Sequence, residues 1–74
     1  MLNIWTVYKN PTDYPGQYAA RRWVLDQRTD DVYANESLDM VRTWIDYSAR
    51  RHGVIPVRLE RDTNDDPAVL ENWI

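Results

Sequence analysis

A chain of 74 residues is long enough for one domain, which we place over residues 1–74, and so small a domain buries only about 60% of its unfolded surface. It contains no cysteine, which excludes disulfide bonds, thiolate metal sites and thiol catalysis. Its net charge of −3 argues against a protein that wraps nucleic acid with its whole surface, although eight of its nine cations are arginine.

The first predicted strand covers residues 2–9, where aromatic and β-branched residues favour a pleated backbone. Alternation divides it into one face with Ile4, Thr6 and Tyr8 and another with Trp5 and Val7. Neither face is clearly polar, and a strand with two apolar faces is usually covered on both sides. We therefore expect a helix to cover one face and a partner to cover the other.

Proline and glycine mark residues 10–17 as a loop, and we expect Tyr14 to fold back and close the end of the core. A second strand is predicted over residues 18–26, with Arg21 and Trp23 on one face and Arg22 on the other. Antiparallel pairing with the first strand is the simplest connection between the two. Residues 27–31 have the polar composition of a turn, and residues 32–34 form a candidate short third strand.

The clearest helical signal covers residues 37–52. Ser37 is a candidate N-cap, and Leu38, Val41 and Ile45 recur at helical spacing. Gly53 follows as a natural helix stop. We expect this apolar stripe to pack on the sheet.

A further strand is predicted over residues 54–61, with Ile55, Val57 and Leu59 facing the helix. An acidic turn follows at 62–66, and residues 67–74 fit either a short helix or a final strand. The sequence thus predicts an α+β fold of order β-β-α-β with a short terminal element. Its antiparallel sheet has three or four strands and packs on one main helix.

Segments at both ends of the chain resemble a small family of uncharacterised proteins from phages, prophages and their bacterial hosts. They are Trp5-Thr6-Val7-Tyr8, the loop with Pro11, Asp13 and Pro15, Ala20-Arg21-Arg22-Trp23, and Asp65-Asp66-Pro67 with Glu71 and Trp73-Ile74. The middle of the chain is similar only as a helix-forming stretch. The resemblance implies a bacterial or viral cytoplasmic setting, and no activity is established for that family.

The sequence offers little for enzyme chemistry, and we expect no catalytic residue, metal or cofactor. The only histidine, His52, lies among arginines at the predicted helix end, where interaction with the helix dipole is the simpler role. Asp62, Asn64 and Asp66 echo a calcium loop, but that loop would need glycine where Pro67 stands and glutamate where Trp73 stands.

The residues that stand out are the candidate interaction surface, which comprises Trp5, Tyr8, Arg21, Arg22 and Trp23. Tryptophan, tyrosine and arginine are enriched where proteins contact one another, so we expect a protein partner and a weak homodimer. A nucleic-acid-binding strand face is the alternative, and the residues leave open whether the arginines bind phosphate or pair locally. The chain shows no apolar segment of about 20 residues and no signal peptide, which predicts a cytoplasmic protein without a membrane span.

Overall fold

A computed structural model of the chain describes residues 2–59 and 67–74 and confirms the α+β class. The five strands described are β1 (Asn3–Lys9), β2 (Tyr18–Val24), β3 (Gln27–Asn35), β4 (Arg58–Leu59) and β5 (Val69–Trp73), and the helix α1 covers Leu38–Arg51. The strands form one antiparallel sheet in the order β3-β2-β1-β5-β4. The C-terminal strand therefore returns to lie beside the first, which decides between helix and strand for this segment.

Helix α1 forms where the spacing predicts it. The hydroxyl of Ser37 accepts a hydrogen bond from the Met40 backbone N–H at 3.4 Å, and Gly53 follows the helix with a φ of +73°. Val41 and Ile45 are buried and pack against Trp5 and other residues of the sheet. The core thus lies between the helix and one face of the sheet.

Strand β3 is longer than the sequence predicts. It begins at Gln27, so the expected turn at 27–31 is strand, and the real turn consists of Leu25 and Asp26. The polar composition suited a turn, but β3 is the outermost strand on its side, where polar side chains can face solvent. With β3 and the C-terminal β5 both present, the described part of the sheet has five strands rather than three or four.

The expectation that Ile55, Val57 and Leu59 face the helix is wrong, because they are 76%, 59% and 40% exposed. Among residues 54–59, Arg58 and Leu59 alone form strand, at the outer edge of the described sheet, where Leu59 pairs with Asn72. Val57 and Leu59 lie on the side of the sheet that the helix does not cover. The predicted strand end at 60–61 and the acidic turn at 62–66, with its calcium-like spacing, lie outside the described residues.

Candidate functional site, the open face of the sheet

The described helix covers one face of the sheet only. Trp5 and Val7 point toward it, as do the residues opposite them across the register, such as Ala20 and Glu71. The other face carries the alternate residues, and we call it the open face. It comprises Ile4, Thr6, Tyr8, Ala19, Arg21, Trp23, Arg28, Val32, Val57, Leu59, Asn72 and Ile74.

An apolar row runs across the open face through Val57, Ile74, Ile4 and Trp23. Val57 and Ile74 exchange two backbone hydrogen bonds, of 2.7 and 2.9 Å, and Ile4 is the register partner of Trp23. Trp5 pairs with Trp73, so the same register places Ile74 level with Ile4. Val57 is 59% and Ile74 37% exposed. The sheet therefore presents a continuous apolar strip to solvent.

A groove of about 260 Å³ lies at the β2–β3 end of the open face. Its lining consists of Tyr8, Pro11, Asp13, Tyr14, Ala19, Arg21, Trp23, Arg28 and Val32. The loop after β1 forms one wall and is held by backbone hydrogen bonds from Asn10 to Gln17, at 2.8 Å, and from Tyr14 to Pro11, at 3.0 Å. Tyr14 therefore lines this groove, and the expectation that it closes the end of the core is wrong.

Two arginines lie beside the tryptophan of the groove. Arg28 is the register partner of Trp23, and the Arg21 side chain donates a hydrogen bond to the Thr29 carbonyl. An irregularity in the pairing of β2 with β3 falls between Arg21 and Trp23, and the Thr29 hydroxyl bonds the Arg22 carbonyl there. Among the described residues, neither Arg21 nor Arg28 forms an ion pair with a carboxylate.

The indole N–H of Trp23 is buried and has no hydrogen-bond partner in the described part of the protein. Buried donors without an acceptor are uncommon, because the lost hydration of such a group costs about 1–3 kcal/mol. Within the described residues, Trp23 therefore brings a buried donor without a partner to the same region as Arg21 and Arg28, which have no carboxylate partner there.

Three of the five candidate residues, Tyr8, Arg21 and Trp23, come together in the groove. Trp5 and Arg22 do not, because both lie on the helix side of the sheet, and the prediction that Trp5 belongs to a contact surface is wrong. Trp5 is fully buried under the helix and donates to the Ser48 hydroxyl at 3.0 Å. Arg22, on the same face, is held by Asp31 at 2.6 Å. Because side chains alternate along each strand, Trp5 and Arg22 lie on the face opposite Tyr8, Arg21 and Trp23.

Sequence reasoning missed Arg28 and misplaced Tyr14. A two-residue hairpin turn at Leu25–Asp26 would have placed Arg28 opposite Trp23. That turn lacks the asparagine or glycine that usually marks a two-residue hairpin, so no sequence pattern indicated it. The position of Tyr14 depends on how the loop packs across the strand ends, which no local pattern indicates.

The helix side of the sheet contains an ion pair between the partly exposed Arg42 and the buried Glu71, which the sequence did not indicate. Arg42 donates two hydrogen bonds to the Glu71 carboxylate, at 3.0 and 2.9 Å, and the Trp73 indole donates a third at 3.0 Å. These bonds, that of Arg42 foremost, hold the pKa of Glu71 below its ordinary value of 4.5 against the opposing effect of burial. The cluster ties α1 to β5 and stands apart from the open face.

His52 is the C-cap of helix α1, and its contacts are structural. Its Nδ1 lies 2.8 Å from the Ser48 carbonyl oxygen, and its ring meets that of Trp5 edge-on at 6.5 Å. Within residues 2–59 and 67–74, no group of three or more histidine, aspartate and glutamate side chains is arranged to hold a metal ion.

No protein-family model, curated protein or solved structure matches this chain. Over the described ranges, no helix combines the length and apolar character needed to cross a membrane.

Proposed function

We propose that this chain is a small non-enzymatic interaction module that binds a partner protein through the open face. The carrying observation is a sheet covered by a helix on one side, whose other side presents an apolar row and an aromatic groove. The resemblance to phage and prophage proteins, which stays a prediction, supports a cytoplasmic accessory protein that binds a host or phage protein.

The energetic argument concerns apolar surface. Each Å² of such surface removed from water is worth about 25 cal/mol, and so small a chain can bury little of it alone. Val57 and Ile74 contribute to the row without being buried. Contiguous apolar patches of this kind mark interaction sites in soluble proteins, and a tryptophan beside arginine is a common centre of binding energy.

Nucleic-acid binding is the second candidate, favoured by the position of Arg21 and Arg28 in the same groove as Trp23. Aromatic rings on a sheet face stack bases in several single-strand binding folds, and arginines contact the phosphates. The protein interface is the stronger proposal, since the row beyond Trp23 is apolar and the chain carries a net charge of −3.

The two candidates differ in salt dependence, and a pull-down from bacterial lysate separates them. We expect a protein partner that is retained at moderate salt and after nuclease treatment. Trp23→Ala should weaken its capture strongly, whereas Tyr47→Ala should not, because Tyr47 is a 58% exposed aromatic on helix α1. Recovery of nucleic acid alone, with a log–log salt slope near −0.7 per phosphate, would support the second candidate. Equal capture by both variants would exclude the open face.

A further inference from the structure

We infer that the groove binds an acidic segment of the partner protein, in which an aspartate or glutamate side chain contacts Arg21 and Arg28 while an adjacent apolar side chain enters the groove. This inference rests on the proposed function and specifies the chemistry of the partner. It depends on the charges, the lining and the unsatisfied donor of one small region.

The charge argument comes from the arginines that are already paired. Arg22, Arg42 and Arg50 each have a carboxylate within 3.0 Å. Arg21 and Arg28 have none among the described residues, although the chain holds 12 carboxylates against nine cations. Asp13 lines the same groove without pairing with either. Two guanidinium groups in one groove without a carboxylate partner among the described residues offer a site for an external carboxylate.

The lining matches a peptide side chain better than a small molecule. The walls are largely aromatic and apolar, from Tyr8, Tyr14, Trp23 and Val32. The volume of about 260 Å³ lies below the range of about 300–1,000 Å³ that is usual for small-molecule pockets. A groove of this size suits one anchoring side chain of an extended segment.

The buried indole N–H of Trp23 is the third element. It lacks an acceptor among the described residues, and an extended peptide carries a carbonyl at every residue. Side-chain adjustments at an interface are common on binding, and we expect the indole of Trp23 to rotate so that this donor reaches a bound carbonyl. Occupation of the groove would thus give an acceptor to a donor that has none within residues 2–59 and 67–74.

A nucleic-acid strand fits these observations less well than a peptide does. It brings a phosphate with each nucleotide and needs cations along its path, whereas the open face continues from Trp23 into Ile4, Ile74 and Val57. A peptide segment with one carboxylate beside apolar side chains requires only Arg21 and Arg28 at one end of the apolar row.

The test begins with a random library of linear peptides, selected on the wild-type protein and measured by fluorescence anisotropy. We expect enriched peptides to combine aspartate or glutamate with a neighbouring apolar residue. Arg28→Glu should weaken their binding about tenfold or more, because it places like charges together. Arg51→Glu, an equal charge change on the exposed end of α1, should leave binding nearly unchanged. Thermal unfolding confirms that each variant is folded.

A charge exchange makes the test independent of any effect on folding. Peptides in which lysine replaces the acidic residue should bind Arg28→Glu better than they bind the wild type. Failure of this exchange would overturn the inference, and so would the absence of any enriched peptide.

The remaining outcomes separate the inference from the proposed function. Enriched peptides without acidic residues that still require Trp23 would overturn the acidic segment and leave the interface standing. Binding that survives Trp23→Ala would overturn both. If labelled oligo(dT) binds more tightly than the peptides and this binding depends on Arg21 and Arg28, the two arginines are a phosphate site. If the protein forms a dimer that prevents every peptide from binding, the groove is assigned to a second copy of the chain.

Discussion

At the scale of single residues, the polar partners of Trp5 and Glu71 show how the sheet and helix are joined. Both lie on the helix side, where Trp5 is fully buried and Glu71 is 5% exposed. Each is satisfied by the helix, Trp5 through Ser48 and Glu71 through Arg42. Removal of Ser48 or Arg42 would leave a buried polar group without its hydrogen-bond partner in an apolar environment.

Ser48→Ala tests the first of these contacts. The change removes the acceptor 3.0 Å from the Trp5 indole nitrogen, and a buried donor left unsatisfied costs about 1–3 kcal/mol. We expect the free energy of unfolding in urea to fall by that amount. Thr43→Ala is the control, because the Thr43 hydroxyl is exposed and donates only to the carbonyl one turn back. Equal losses in both variants would contradict the role of the buried bond.

Glu71→Gln tests the second contact through its pH dependence. The pKa of Glu71 is lowered in the folded protein, mainly by the hydrogen bonds from Arg42, relative to its ordinary value of 4.5. Because the pKa of Glu71 is lower in the folded state, its carboxylate stabilises the folded protein above about pH 4.5. This stabilisation is lost as the pH falls through the pKa of Glu71 in the folded state. The wild type should therefore lose stability in acid more steeply than Glu71→Gln, which should be less stable at neutral pH by about 1–3 kcal/mol.

The control for the acid titration is Glu36→Gln, which removes an exposed carboxylate just before helix α1. Urea unfolding at a series of pH values gives the slope for each variant. Identical acid slopes for wild type and Glu71→Gln would exclude Glu71 as a source of the pH dependence.

At the scale of elements, the turn between β2 and β3 is the most strained connection described. Leu25 has a φ of +55° and is 61% exposed, so it adopts a left-handed conformation without packing to favour it. Glycine is the residue normally found at such a position, because it has no Cβ to clash with the backbone. This turn also sets the register that brings Arg28 opposite Trp23.

Leu25→Gly should therefore stabilise the protein, by about 0.5–1 kcal/mol after the entropy cost of glycine is subtracted. Asp26→Gly is the matched control. Asp26 has no positive φ, so the same replacement there should only destabilise. Urea denaturation compares the two, and a loss of stability in Leu25→Gly would contradict the strain.

At the scale of the whole molecule, we expect the open face to determine how the chain associates. Its apolar row predicts a weak homodimer with Trp23 near the contact, while Trp5 is removed from that role by its burial. Sedimentation over a concentration series should show reversible dimerisation that weakens in Trp23→Ala and not in Tyr47→Ala. A protein that stays monomeric at high concentration would leave the open face to partners alone.

The sequence by itself determined the helix, the strand character of the N-terminal segments and the division of their residues between two faces. These features depend on neighbours two to four residues apart, as in the spacing of Val41 and Ile45 and the alternation of Tyr8 with Val7. Local periodicity also separated Arg21 from Arg22 correctly.

The tertiary structure alone decided which face the helix covers, and hence that Trp5 is core while Trp23 lines a groove. Alternation is symmetric between the two faces, so only packing of α1 against distant strands distinguishes them. The same long-range pairing made residues 69–73 a strand beside β1 and left Val57 outside the core. Arg28 reached Trp23 through a strained turn that has no sequence signature, because its geometry is imposed by the strands that it joins.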